Sequence, residues 1–336
     1  MEVQSSNITI TEEEFGYSQE VIKKLSDYFD AKVVGQQQLK FSLIGSILAD
    51  GHILIESVPG LAKTTAAKAI SDAVDGKFAR IQCTPDLLPG DIIGTQIYNQ
   101  ATGKFENILG PVFANFVLLD EVNRSSAKTQ SAMLEAMQEK QVTIGGKSYR
   151  MPEDIFIVIA TQNPIEQEGT YPLSEAQTDR FLIKEVITYP TAAEEVEILS
   201  RMETGAISRV DPPVLAIKDI DRVQDIVSKV YVDNAIKWYI SSIVVASRRA
   251  GQIQGQGLEL GRYVRIGASP RASIAFLKMA KATALIQGRT YVTPEDVKQV
   301  SHQVLRHRIG LNYSAVADNV PVEAVIDGLV NSVKAP

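Results

Sequence analysis

Two segments, Phe116 to Leu119 and Ile155 to Ile159, are apolar at every position. A strand with one face in water alternates polar and apolar residues, so unbroken runs of this length suit strands covered on both faces, as in a parallel sheet with crossover helices. Three more short runs of apolar and β-branched residues, His52 to Glu56, Phe78 to Cys83 and Leu182 to Ile187, recur between helical patterns. With Asn115 to Asp120 and Ile155 to Ala160 they predict five strands and an α/β domain.

After Pro190 the strand signals fade. Thr191-Ala192-Ala193-Glu194 is a capping box before an apolar pattern, and Ser269-Pro270 and Thr293-Pro294 each set a capping hydroxyl before a proline at the first helical position. The expected organisation is an N-terminal helix plus the α/β core over residues 1–190, then a smaller all-helical domain over 191–336. Gly251 to Gly267, rich in Gly and Gln, reads as a loop between helices. The stretch from Thr84 to Ala114 exceeds the needs of a bare crossover, and Gln96 to Tyr98 with Lys104 to Asn107 around Ala101-Thr102-Gly103 predict a hairpin there. A second hairpin is expected where Val142 to Ile144 and Ser148 to Arg150 flank Gly145-Gly146, a pair suited to positive φ.

Composition narrows the function classes. The chain has 336 residues, 45% hydrophobic and 22% charged, which is ordinary for a globular protein and excludes a disordered or collagen-like one. Its net charge of -6 supplies no basic footprint for nucleic acid. The single cysteine, Cys83, cannot form an internal disulfide and reads as a small buried hydrophobe in a reducing compartment. Residues Met1 to Phe15 lack a basic stretch followed by an apolar one, and no apolar run approaches the ~18 residues of a membrane span. The expectation is a soluble cytoplasmic protein.

The chemistry gathers around the predicted strand ends. The first strand leads into Ser57-Val58-Pro59-Gly60-Leu61-Ala62-Lys63-Thr64, followed by an Ala-rich helix expected over Thr65 to Ala73. A phosphate-binding P-loop has glycine at its first and sixth positions, here Ser57 and Ala62, but its lysine and hydroxyl remain in register at Lys63 and Thr64. Such a loop points backbone N–H groups at a β-phosphate, while the lysine neutralises β/γ oxygens and the hydroxyl binds Mg²⁺. Asp120-Glu121 ends the third strand, where open α/β sheets bind ligands, so Asp120 can serve the metal shell and Glu121 can polarise an attacking water. A coincidental strand-to-helix turn and a solvated acidic turn are the bland readings of these two features taken singly. Asn163, delivered by the next strand in Thr161-Gln162-Asn163-Pro164, could orient that water or simply begin a turn. Arg180 follows the helical segment Ser174 to Asp179, with Asp179 as a possible local partner. Arg271 sits in the first turn of the helix capped by Ser269, where a cation opposes the macrodipole by ~0.3–1 kcal/mol; a bound polyphosphate would reverse that cost.

These motifs together with Val33-Val34-Gly35-Gln36, Leu119 to Arg124, Gln130 to Glu139, Glu175 to Phe181 and Gly267 to Arg271 resemble the MoxR branch of AAA+ ATPases, over roughly Val33 to Arg308. The resemblance implies a P-loop core with a five-stranded parallel sheet, a helical lid, and two hairpins that are this branch's insertions. It implies ATP and Mg²⁺ as cofactors, with Val34 and Gly35 near adenine, Ser57 to Thr65 around the phosphates, Asn163 as sensor 1, Arg180 as a finger reaching a neighbouring subunit and Arg271 as sensor 2. It also implies a homo-oligomeric ring, a hexamer by expectation, that remodels, matures or inserts metal into a protein client beside a von Willebrand factor A domain protein. A chelatase-type motor subunit and a nucleotide-gated switch with negligible turnover are the alternatives. The family usually has glycine where Ser57 stands; a Cβ there is expected to weaken activity rather than binding.

Overall fold

The computed structural model of the chain describes residues 9–58, 60–61, 63–164, 169–205, 211, 215–253 and 259–336. Its contacts divide it into two units, Lys24–Asp221, and Met1–Lys23 together with Arg222–Pro336. This division departs from the sequence boundary at 190, and specific bonds account for it. Arg201 on the helix Ala192–Thr204 donates to the Asp30 carbonyl at 2.7 Å, and Leu215–Ala216 pairs with Val74–Asp75, so the segment after 190 stays with the α/β unit. At the start of the chain, Gln19 donates to the Leu285 carbonyl at 2.7 Å, Lys229 meets Glu14 at 2.5 Å and Arg222 stacks on the Tyr17 ring at 4.2 Å. The first helix, Glu12–Lys32, is therefore not wholly part of the core.

In chain order the first ten strands are β1 Ile53–Glu56, β2 Val74–Asp75, β3 Phe78–Gln82, β4 Gly94–Asn99, β5 Lys104–Leu109, β6 Phe116–Asp120, β7 Gln141–Ile144, β8 Lys147–Arg150, β9 Ile157–Gln162 and β10 Ile183–Val186. The five predicted strands form one parallel sheet in the order β10-β1-β9-β6-β3. The unbroken apolar runs occupy its interior: every residue of β6 is buried, as are Ile157 to Thr161 of β9. Val117, Leu119, Val158 and Ala160 pack with Met133, Leu134, Ala136 and Met137 of the helix Ala127–Glu139 on one face. Phe116, Leu118, Ile157 and Ile159 alternate onto the other. β3, at an edge, instead alternates exposed Arg80 and Gln82 around buried Ile81.

Both predicted hairpins are present and slightly longer than expected, β4–β5 and β7–β8. Gly145 and Gly146 have φ of 55° and 77°, so the turn needs two residues that tolerate the left-handed region. Asn107 ties the hairpins together, donating to the Ile144 carbonyl at 2.8 Å and to the Tyr149 hydroxyl at 3.1 Å.

The other unit is built from helices including Asn234–Arg248, Pro270–Ile286, Pro294–Gln299 and Val322–Ser332. Its caps follow the sequence: Ser269 Oγ accepts the Arg271 N–H at 3.1 Å, and Asp296 closes the capping box at Thr293 with 2.8 Å to its N–H. The expectation of a bare loop over 251–267 needs correction. Leu260–Tyr263 is a short helix with Leu260 and Tyr263 buried, and Val264–Ile266 pairs antiparallel with Gly310–Leu311. The buried apolar pair anchors a segment that the flanking glycines suggested was free; residues 254–258 lie outside the described part. Cys83 is buried as expected, and burial pushes its thiol up to about 12, so it stays protonated. Among the described residues no helix is long and apolar enough to cross a membrane.

Candidate nucleotide site

Parallel pairing sets the carboxyl ends of β1, β9 and β6 side by side, since Glu56 is in register with Gln162, and Leu119 with Ala160. From β1 the chain enters the loop, where the Ser57 N–H donates to the Gln162 carbonyl at 3.2 Å and locks the loop's start to β9. The helix that follows begins at Lys63, earlier than the expected Thr65, and runs to Asp72. Lys63 and Thr64 thus form its first turn, where unsatisfied N–H groups and the positive end of the dipole favour an anion. The Lys63 ammonium folds back across the loop to the Ser57 carbonyl at 3.2 Å. Gly60 has φ of 86° and open space where a Cβ would stand. Leu61 is buried, Val58 and Thr64 half-buried and Thr65 exposed. Pro59 and Ala62, both expected to touch phosphate, lie outside the described residues.

Ser57 is accommodated without strain. Its side chain is 2% exposed, its hydroxyl donates to the Val58 carbonyl at 3.0 Å, and its φ is not in the left-handed region.

Asp120 ends β6 with a side chain 10% exposed. Its Oδ1 accepts the Thr161 hydroxyl at 2.8 Å, and its Oδ2 meets Arg80 Nη2 at 2.5 Å. Glu121 follows in the left-handed region, φ 57°, a conformation that costs a non-glycine residue energy and is held here because its N–H donates to the same Thr161 oxygen at 2.9 Å. Gln82 donates to Glu121 Oε2 at 3.2 Å, and Arg124 reaches the same oxygen at 3.4 Å. The two carboxylates are therefore turned apart by one threonine and bridged along the edge strand, because Arg80 Nη2 also donates to Gln82 Oε1 at 3.1 Å.

Asn163, just beyond β9, is 3% exposed, and its carbonyl accepts from Asn123 Nδ2 at 3.4 Å. Asn123 is itself 8% exposed, and its Oδ1 has no hydrogen-bond partner among the described residues. Arg180 follows the helix Glu175–Thr178. No salt bridge joins it to Asp179, and its guanidinium makes no ion pair or hydrogen bond with any described residue. Val34 and Gly35 form a loop between helices, where Gly35 has a left-handed φ of 66° that strains any other residue and a Cβ would displace the end of the Glu194 side chain. Arg271 belongs to the helical unit, at the second residue of Pro270–Ile286, and is exposed.

The donor set suits a magnesium nucleotide. An open glycine, a helix N-terminus and a lysine face a polyanion; a hydroxyl and a carboxylate are the hard oxygen ligands Mg²⁺ takes. The buried, orphaned Asn123 oxygen at the same sheet edge is a polar group a bound molecule or water can satisfy. Sequence reasoning missed Arg80, Gln82, Thr161 and Asn123. Arg80 and Gln82 were visible as alternating polar residues, but only the register Gln82 to Asp120 reveals what they face.

Comparison with known proteins agrees with this geometry. Residues 52–183 match the ATPase family associated with various cellular activities (AAA), and residues 261–329 match the AAA lid domain. The chaperone MoxR1 of Mycobacterium tuberculosis is 47% identical over 90% of this chain and 79% of its own, and the protein YeaC of Bacillus subtilis is 41% identical over 94% and 95%. A crystal structure of a candidate ATPase from Cytophaga hutchinsonii superposes with a TM-score of 0.89 at 44% identity, covering 97% of this chain and 98% of that one. With a parallel five-stranded core, a lid domain and relatives of this identity over most of their length, the chain belongs to the MoxR family of AAA+ ATPases.

Proposed function

We propose that this protein is a Mg²⁺-dependent ATPase whose turnover drives chaperone-like remodelling of a protein client from a homo-oligomeric ring. The observation that carries the reading is Lys63 in the first helical turn, folded over its loop at the sheet edge that also presents Asp120 and Glu121. In this reading Lys63, the loop N–H groups and Thr64 hold the triphosphate, with Val34 and Gly35 beside the base. Bound Mg²⁺ would supply charge neutralisation at the β- and γ-phosphates, with Thr64 and Asp120 as its protein oxygens. Glu121 polarises the attacking water and accepts its proton, while Asn163 orients that water. Thr161 keeps the two acids in different orientations, so one faces metal and the other water.

Two arginines complete the reading. The guanidinium of Arg180, without an ion pair among the described residues, is available to stabilise γ-phosphoryl charge in a neighbouring subunit's site, which makes ring assembly part of catalysis. Arg271 lends its charge from the lid and couples nucleotide state to lid position; Arg271→Ala lowers turnover. The name of the Mycobacterium relative supports the chaperone-like role. A partner with a von Willebrand factor A domain and metal insertion into the client extend the proposal. The unstrained Ser57 favours turnover over a non-hydrolysing switch.

Lys63→Ala tests the reading directly. Removing the cation leaves phosphate charge uncompensated, so calorimetric titration should detect no ATP binding by this variant. Wild-type affinity in Lys63→Ala would sink the P-loop assignment.

A further inference from the structure

Both oxygens of the Asp120 carboxylate have protein partners, Oδ1 the Thr161 hydroxyl and Oδ2 the Arg80 guanidinium. A carboxylate this deeply buried is costly to leave without a counter-charge, by several kcal/mol. Arg80 can supply the charge because it lies two residues before Gln82, the cross-strand neighbour of Asp120, and therefore projects from the same face of the sheet. The partners are unequal: the Arg80 side chain is 49% exposed and that of Asp120 10%. The arginine can swing its head into water while its stem stays on the strand. It also has a second acceptor in place, since Nη2 already shares Gln82 Oε1 at 3.1 Å.

We propose that Arg80 is the resident counterion of Asp120 in the metal-free protein, and that Mg²⁺ and the Arg80 guanidinium compete for this carboxylate. The inference rests on the nucleotide-hydrolysing reading above. A guanidinium in direct contact with the carboxylate and a divalent cation in its outer shell repel each other over a few ångströms, most strongly where water is sparse. Occupation by one therefore weakens the other. The exchange keeps the buried acid compensated both before metal arrives and after it leaves, so the sheet edge holds its shape through the cycle.

The test uses the full chain, with Mg²⁺ titrated calorimetrically into protein saturated with a non-hydrolysable ATP analogue. Removing the competitor in Arg80→Gln should tighten Mg²⁺ binding by about tenfold, a modest factor because the arginine is half in solvent. Arg80→Lys, which retains the charge, should stay nearer wild type, and Arg80→Met, which keeps the stem, repeats the test should the glutamine variant fold poorly. In EDTA, Arg80→Gln should also melt below wild type, and Mg²⁺ with the analogue should close the gap. Mg²⁺ affinity that is unchanged or weaker in both neutral variants overturns the inference, a weaker value meaning that Arg80 positions Asp120 for the metal. A parallel titration of the analogue with excess Mg²⁺ separates the two levels: wild type that binds no nucleotide removes the functional reading and the inference with it, whereas nucleotide binding without the Mg²⁺ effect of the Arg80 variants removes the inference alone.

Discussion

Each unit of this protein contains a buried aspartate paired with an arginine at 2.5 Å, and the two pairs are built to opposite ends. In the helical unit Asp296 is fully buried and accepts four hydrogen bonds, two from Arg289, one from the Thr293 N–H and one from the Thr293 hydroxyl. Every bond comes from within seven residues, so the pair closes a turn and caps the helix Pro294–Gln299. The Asp296 carboxylate also raises the Arg289 pKa, chiefly through their hydrogen bonds. In the α/β unit Asp120 accepts two, from Thr161 and from a half-exposed Arg80, both distant in sequence. A saturated acid is a pin. An acid with spare lone pairs at a sheet edge, beside an arginine that can leave, is available for chemistry.

The contrast predicts that variants at the sheet edge lose turnover while keeping the fold. Arg180→Ala should show the largest effect, a fall of roughly 10³–10⁵ in ATPase rate, or about 4–7 kcal/mol, with ATP affinity and melting temperature near wild type. Mixing it with Lys63→Ala should restore activity at interfaces where one protein contributes the finger and the other the pocket. Mixed rings as inactive as either parent would place Arg180 outside the neighbouring site.

Next in size, Asp296→Ala should remove about 2–3 kcal/mol of stability, read by calorimetric or denaturant unfolding, because it leaves a partly buried guanidinium and the Thr293 N–H without acceptors. Asp120→Asn should change stability by less than about 1 kcal/mol, since its arginine is half solvated, yet abolish the Mg²⁺ dependence of nucleotide binding. Equal destabilisation by the two aspartate substitutions would break the comparison. The smallest effect belongs to a half-buried pair in the helical unit, Glu14 and Lys229. Glu14 has its pKa lowered from the ordinary 4.5, first by its hydrogen bond to Lys229. An acid held below its unfolded value contributes stability that is fully present above that value and is lost as pH falls through the folded one. Glu14→Gln should therefore lower the melting temperature slightly at neutral pH and flatten the acid limb of its profile below about pH 4.5, the variant and wild type converging as pH falls.

The elements legible in advance were those whose signal is local. The capping box at Thr191 needs only four consecutive residues, the capping hydroxyl at Thr293 only the proline after it, and the turn at Gly145-Gly146 only two residues that tolerate positive φ. The continuous apolar runs of β6 and β9 announced burial on both faces without naming what covers them. Less legible were Arg80, Gln82 and Thr161, whose neighbours come from other strands, and the segment Leu260–Ile266, where glycines masked a short helix and strand anchored by buried Leu260 and Tyr263.

The sequence by itself determined the sheet's five strands, the lysine and threonine at a helix start, and the acidic pair at a strand end, because periodicity and propensity act over a few residues of chain. Strand order and register were decided only by the tertiary structure. Those choices place Thr161 between Asp120 and Glu121 and set Arg80 on the face of Asp120, forty residues away in the chain. Hydrogen bonding and Coulomb attraction depend on distance in space, which the linear spacing of the residues does not encode.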